Sequence, residues 1–214
     1  MVHVLHLDSS ARSEQQSVTR QLGRELLTQW HAQDPDLAVV HRDLATDPPS
    51  HVTAPWVTAA FAVDDSADRT VLAESEVLVE ELLAADVLVV GAPMYNFGIP
   101  STLKAWVDQV VRVGRTFGFV GALPVGLVTG TRAIVLGATG GDAVAYEQVG
   151  LDHRASYLRA ILGFLGIHDV ELITVGLTAV GDPDLGASRG RYAAAITGAA
   201  APAPRSPGDA LHAV

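Results

Sequence analysis

A chain of 214 residues with 49% hydrophobic content can bury one α/β core, and its formal net charge of −10 argues against a nucleic-acid footprint, which needs a basic face. With no cysteine, it has no disulfide framework, thiolate metal site or thiol nucleophile. It shows neither a basic-then-apolar leader nor an uncharged apolar run of the ~18 residues a membrane helix needs, so the expectation is a soluble, cytoplasmic protein without a membrane segment.

Val2–Leu7 alternates like a strand. His3 and His6 have opposite parity on it, face opposite sides and cannot share a metal, and no metal site is expected elsewhere. Asp8–Ser17 is a polar loop, and Val18–Gln33 places Leu22, Leu26, Leu27 and Trp30 at helical spacing. A hydroxyl-rich loop thus meets a helix N-terminus, whose free amides and dipole favour an anion. Ser9, Ser10, Gln15, Gln16 and Ser17 add neutral donors, which suits a phosphate; ordinary N-capping by Ser17 is the plainer, less favoured reading. The loop matches neither G-x-G-x-x-G nor a Walker sequence.

Leu37–Arg42 reads as the second strand. Residues 43–66 form a long irregular stretch whose Trp56 and Phe61 favour a docked segment over a disordered one. Ala67–Ala84 is predicted as a helix with an apolar side and a solvated face of Glu74, Glu76, Glu80 and Glu81.

Val87–Pro100, VLVVGAPMYNFGIP, holds the centre of the chain. Its uncharged first half reads as a strand buried on both faces, hence part of a parallel sheet. Such sheets bind ligands beyond the carboxyl ends of their strands, where Met94, Tyr95, Asn96 and Phe97 stand. A helix over Ser101–Val113 follows. Thr116–Phe119 and Gly126–Thr129 resemble a small hairpin flap around Gly121–Pro124. Arg132–Gly137 is the next sheet strand and runs into Ala138-Thr139-Gly140-Gly141, where glycine backbone permits close approach to a ligand. His153–Leu165 is a helix, Val170–Val175 the last strand and Arg189–Ala200 the last helix. Residues 1–200 thus form one domain, and the Pro- and Ala-rich Ala201–Val214 reads as a flexible tail. Gly186-Ala187-Ser188-Arg189-Gly190 matches G-x-S-x-G only formally, because no strand precedes Ser188 and the only later histidine is His212.

Five sheet strands alternating with helices predict a doubly wound, flavodoxin-like α/β fold of strand order 2-1-3-4-5, with helices on both faces. The loops after strands one, three and four are then neighbours. They offer phosphate donors, aromatics with an amide, and glycine backbone, which together suit FMN.

The same residues carry a family likeness. Ala92–Phe97 (APMYNF) followed by Pro100-Ser101-Thr102-Leu103-Lys104, the serine-rich first loop and Thr139-Gly140-Gly141 resemble the FMN-dependent NADH:quinone oxidoreductase and azoreductase family, from residue 1 to about residue 200. Ala138-Thr139 stands where Ser-Arg is common. The resemblance implies that Ser10, Gln15, Gln16 and Ser17 bind the FMN phosphate and that Met94, Tyr95, Asn96 and Phe97 lie along the ring. It implies likewise that Ala138, Thr139, Gly140 and Gly141 meet the ring edge. It further implies ping-pong reduction of quinones or azo compounds by NADH, and a homodimer with sites at the subunit interface. Phe117, Phe119, Trp56 and Phe61 are candidate pocket walls. No side chain is required as acid or base. The rivals are a flavodoxin-type electron carrier and a flavin-free scaffold.

Overall fold

Uncharged, β-branched runs become the inner strands of a parallel sheet. The computed structural model describes residues 1–62, 68–176 and 178. In chain order these form β1 (His3–Asp8), α1 (Val18–Gln33), β2 (Ala38–Asp43), α2 (Ala54–Phe61), a 3-10 turn (Arg69–Leu72), α3 (Ala73–Ala84), β3 (Val87–Pro93) and α4 (Ser101–Val110). Then come β4 (Phe117–Val120), β5 (Leu123–Gly126), β6 (Arg132–Ala138), α5 (Ala143–Gln148), α6 (His153–Leu165) and β7 (Val170–Val175). The five-stranded sheet has the order β2-β1-β3-β6-β7 and every pairing in it is parallel. Counting sheet strands alone, this is the expected 2-1-3-4-5. The carboxyl ends of β1, β3 and β6 therefore stand side by side.

Strand parity divides the core in two. Val4, Val87, Val89 and Ile134 face α1, where Leu22, Leu26 and Trp30 meet them. Leu5, Leu7, Leu88, Val90 and Val135 face the other way, toward Leu78 and Leu82 of α3, Trp106 of α4 and Leu158 and Leu162 of α6. Every residue of β3 is buried. Each fully buried Leu or Val contributes about 1.5–3 kcal/mol, which sets the strand register firmly.

Several boundaries depart from expectation. Within the stretch read as irregular, Thr53 caps α2 by accepting from the Trp56 amide, and Pro55 occupies its first turn. The helix expected from Ala67 starts at Ala73, after the 3-10 turn capped by Asp68. The Ser101 helix stops at Val110 rather than Val113, and the Thr116 hydroxyl accepts from the Arg112 amide just beyond it. The second hairpin strand is Leu123–Gly126, not Gly126–Thr129. Gly121 at φ +62° allows a two-residue turn, so Val120 pairs directly with Leu123. Helix α5, capped by Asp142, was not foreseen. The predicted last helix, the G-x-S-x-G segment and the tail lie outside the described residues.

One polar group holds the carboxyl end of the sheet together. Arg154, in the first turn of α6, is fully buried. Its guanidinium donates to the Ala92 carbonyl of β3 (3.2 Å), to Thr174 Oγ1 of β7 (3.0 Å) and to Asp152 Oδ2 (2.8 Å). Burial works against the ionised Asp152 carboxylate, but the Arg154 guanidinium outweighs it and holds the pKa below the ordinary value. The space for this guanidinium exists because residue 137 is glycine; a Cβ there would stand 1.7 Å from Arg154 Nη1.

Gly137→Ala should therefore cost about 3–5 kcal/mol, the usual cost of breaking a buried ion pair. Gly163→Ala, within α6 and with its nearest neighbour 3.9 Å from the new carbon, should instead gain about 0.5–1 kcal/mol. Urea unfolding of the two variants against the parent checks both signs.

Candidate functional site

The site is built from three loops at the carboxyl edge. The first, residues 9–17, is anchored by Ser9, whose hydroxyl donates to the Gly91 carbonyl at 2.6 Å. The Ser17 amide and the Gln16 amide both close onto the Ser13 carbonyl. Ser17 Oγ caps α1 by accepting from the Arg20 amide. The first-turn amides of Val18 and Thr19 then have no acceptor among the described residues. Arg20 reaches back to donate to the Ser10 carbonyl at 2.8 Å while its guanidinium forks onto Asp43 at 2.8 and 2.7 Å. That hydrogen bond to Asp43 raises the Arg20 pKa, so the clamp on the first loop is permanently charged.

The second loop is a tight turn. Tyr95 and Gly98 exchange backbone hydrogen bonds at 3.0 Å in both directions, and Asn96 and Phe97 between them have φ of +50° and +67°. Two consecutive non-glycine residues in the left-handed region are uncommon and costly, at about 1–2 kcal/mol each. Asn tolerates that conformation better than most residues; Phe does not. The strain is offset from outside: the Met94 amide donates to the Ala138 carbonyl (2.8 Å), the Phe97 carbonyl accepts from His153 N–H (3.0 Å), and Tyr95 Oη accepts from the Ala11 amide (3.0 Å). The Asn96 and Phe97 amides take no part in the turn's own bonds. Half-exposed Tyr95 and Phe97 present their rings at the rim.

The third loop follows β6. Thr139 is buried, and its hydroxyl donates to the Gly141 carbonyl at 2.8 Å. Its amide donates to the Val175 carbonyl at 2.7 Å. Gly141 lies under the Tyr146 ring of α5; a Cβ would stand 2.3 Å from Tyr146 Oη. Tyr146 in turn meets Phe97 edge to face, ring centroids 5.8 Å apart. The second and third loops are thus braced against each other by an aromatic contact.

Between the loops lies a cleft of about 190 Å³. Of the predicted residues, Ser10, Gln16, Ser17, Met94, Tyr95, Ala138 and Gly140 line it. Asn96 and Phe97 form the adjoining turn, while Thr139 and Gly141 frame the third loop. Gln15 is exposed, with its carbonyl accepting from Gln21 Nε2. The four wall candidates are elsewhere in the chain. Trp56 is buried beside Ala59 and Leu72, its indole N–H donating to Gln109 Oε1 at 2.8 Å and Arg112 lying 5.6 Å from its ring centre. Its place is a local core, because its one polar atom finds an inward partner. Phe61 is exposed near the end of α2. Phe117 is buried against Phe164 and touches the exposed Phe119 edge to face. None of the four lines the cleft.

Sequence reasoning missed Arg12, Val18, Thr19, Pro93 and Thr178 in the lining, and Tyr146 behind it. Arg12 was findable as the one cation in a serine-rich loop, and Val18 and Thr19 as the first residues after a cap. Tyr146 was hidden because α5 is too short to show periodicity. Chemically, the cleft offers hydroxyls and free amides at one end and apolar rings with two amides at the other. That suits a ligand with an anionic group and a flat ring.

The chain matches the family described as flavodoxin-like fold over residues 2–196. It is 49% identical over 187 residues to the FMN-dependent NADH:quinone oxidoreductase 2 of Pseudomonas fluorescens, covering 85% of this chain and 92% of that one. It is 49% identical over 186 residues to the FMN-dependent NADH:quinone oxidoreductase of Azotobacter vinelandii, with the same coverage. Among solved structures, an FMN-dependent NADH-azoreductase from Bacillus anthracis in complex with FMN superposes with a TM-score of 0.82 at 22% identity, covering 92% of this chain and 98% of that one. At that identity the superposition speaks for the fold, and the fold, sequence match and close relatives agree: the chain belongs to the flavodoxin-like FMN-dependent NADH:quinone oxidoreductase family.

Proposed function

We propose that this protein is an FMN-dependent NADH:quinone oxidoreductase with azoreductase activity, built around the cleft between the three loops. The observation that carries the reading is the meeting of Ser10, Ser17 and the α1 amides with the Tyr95–Gly98 turn and Gly140 in one place. The donor set fits the cofactor. Neutral hydroxyls and two unpaired amides at a helix N-terminus suit a phosphate, and Arg12 adds the one positive side chain in the lining. At about 190 Å³ the cleft is below the ~300–1,000 Å³ usual for small-molecule sites, so a flat ring must extend over the exposed turn. Bound FMN would supply hydride chemistry, taking two electrons from NADH and delivering them to a quinone or azo acceptor.

The protein's own part is orientation and electrostatics. The strained Asn96–Phe97 turn fixes two amides at the ring end, and Gly140 brings backbone close without a side chain. No side chain at the cleft has to move a proton. A homodimer fits the exposed apolar hairpin tip, where Phe119, Val120 and Leu123 are 58%, 62% and 72% exposed. No helix among the described residues is long and apolar enough to cross a membrane, and the composition fits a cytoplasmic enzyme.

Anaerobic titration of the FMN-loaded protein with NADH should bleach the flavin absorbance at about one equivalent per site, and a quinone added afterwards should restore it. A spectrum unmoved by NADH would favour the flavodoxin-type carrier. Ser10→Ala should weaken FMN binding about tenfold to a hundredfold, the loss of one hydrogen bond to a charged group, read from the fluorescence of FMN titrated with apoprotein.

A further inference from the structure

A second group of polar side chains lies on the α1 face of the sheet, below the first loop. The parallel register pairs His6 of β1 with His41 of β2, and Asp8 with Asp43. Strand parity puts all four side chains on one face. The two imidazoles stack at 4.9 Å between ring centres. His41 Nε2 lies 3.0 Å from Asp8 Oδ2, and His6 Nε2 lies 3.8 Å from Asp8 Oδ1.

His6 and Asp8 are each only 5% exposed, yet His6 Nε2 and Asp8 Oδ1 have no hydrogen-bond partner among the described residues. Two buried polar atoms facing each other without a bond cost several kcal/mol unless something joins them. The backbone leaves room for that arrangement. A Cβ on Gly23 would stand 2.5 Å from His6 Nε2, and one on Gly91 would stand 3.1 Å from Asp8 Oδ1. One ligand atom from each of His6, Asp8 and His41 lies within 4.8 Å of the others. Around a tetrahedral zinc the ligand atoms are roughly 3.3 Å apart, so small side-chain adjustments suffice.

We propose that His6, Asp8 and His41 bind one late first-row divalent cation of the zinc type, at a site separate from the three-loop cleft. Two imidazoles and one carboxylate are ligands of intermediate softness, which favour zinc, nickel or copper over magnesium or calcium. The cation takes the place of the proton that His41 shares with Asp8. A fourth ligand enters from a cavity of about 780 Å³ between α1 and β2, which His6, Asp8 and His41 all line. Arg20, 3.6 Å from Asp8 Oδ2, is the adverse charge against the group itself, and Arg12 and Arg24 line the same cavity. The fork of Arg20 onto Asp43 neutralises it, and the carboxylates of Asp8 and Asp43 leave the group with net negative charge when the imidazoles are neutral.

The test is calorimetric titration of zinc chloride into the purified full-length protein after treatment with a chelator and its removal. One zinc per chain is expected, with His41→Ala weakening binding roughly tenfold or more, since even outer-shell losses cost that much. His168→Ala, an exposed histidine in the turn after α6, should leave the affinity unchanged. His41 is half exposed, so its removal spares the fold, which an unchanged melting temperature of the metal-free variant verifies. X-ray absorption at the zinc edge should show two imidazole nitrogens. No binding, or parental affinity in His41→Ala, overturns the proposal, the latter meaning that zinc adheres to other surface histidines.

Discussion

A guanidinium without solvent contact joins three elements at the carboxyl edge of the sheet. Arg154 takes the Ala92 carbonyl at the root of the second loop, Thr174 on β7 and Asp152 at the start of its own helix. A cation in the first turn of a helix opposes the helix dipole, so its place there needs compensation. Asp152 supplies it, capping the same turn through the Arg154 and Ala155 amides. The residue after the cap, His153, donates its amide to the Phe97 carbonyl. The N-terminus of α6 therefore grips the second loop twice, once below through Ala92 and once above through Phe97.

That grip explains how a strained turn persists. Left-handed conformations at Asn96 and Phe97 are unfavourable for an isolated peptide. Here the turn is closed by Tyr95 and Gly98, tied below to Ala138, held above by His153 and wedged by the Tyr146 ring. The same Tyr146 occupies the space that a side chain at Gly141 would need. Residues 141–154 thus fix the second and third loops as one body. The first loop is fixed by Arg20 on the Ser10 carbonyl and Ser9 on Gly91, and the Ala11 amide on Tyr95 Oη ties it to the second. Donors held this rigidly need little reorganisation when a ligand arrives, which is the condition for electrostatic stabilisation in a site.

Much of this was legible from patterns with a fixed period. The helices over Val18–Gln33 and His153–Leu165 and the strand Val170–Val175 fall at their predicted bounds, because apolar spacing, caps and Gly166 mark them. The three-loop convergence followed from the strand order alone. Features that depend on two distant segments were not legible. Nothing in the sequence around Arg154 marks it as buried; that depends on Gly137 opposite it. Trp56 reads as a pocket wall because an isolated aromatic in a long loop carries no sign of the Gln109 amide that satisfies it. Along its own strand His6 has only His3 to pair with, and parity separates them, whereas its structural neighbour is His41 on the next strand.

The two sequences His6-Leu7-Asp8 and His41-Arg42-Asp43 repeat one pattern, and their register is what turns the repeat into structure. An edge strand normally avoids pairing with foreign chains by carrying inward charge. In β2, Arg42 reaches Glu81 on one face at 2.8 and 2.6 Å, while His41 and Asp43 turn to Asp8 and Arg20 on the other. Three consecutive polar residues thus bind the edge to both helical layers. Apolar packing would have served the sheet equally well on the α1 face, where Val2 and Val4 are already buried. Placing two imidazoles and a carboxylate there instead leaves buried atoms unsatisfied, and that cost is the physical reason to look for a ligand at the edge as well as in the cleft.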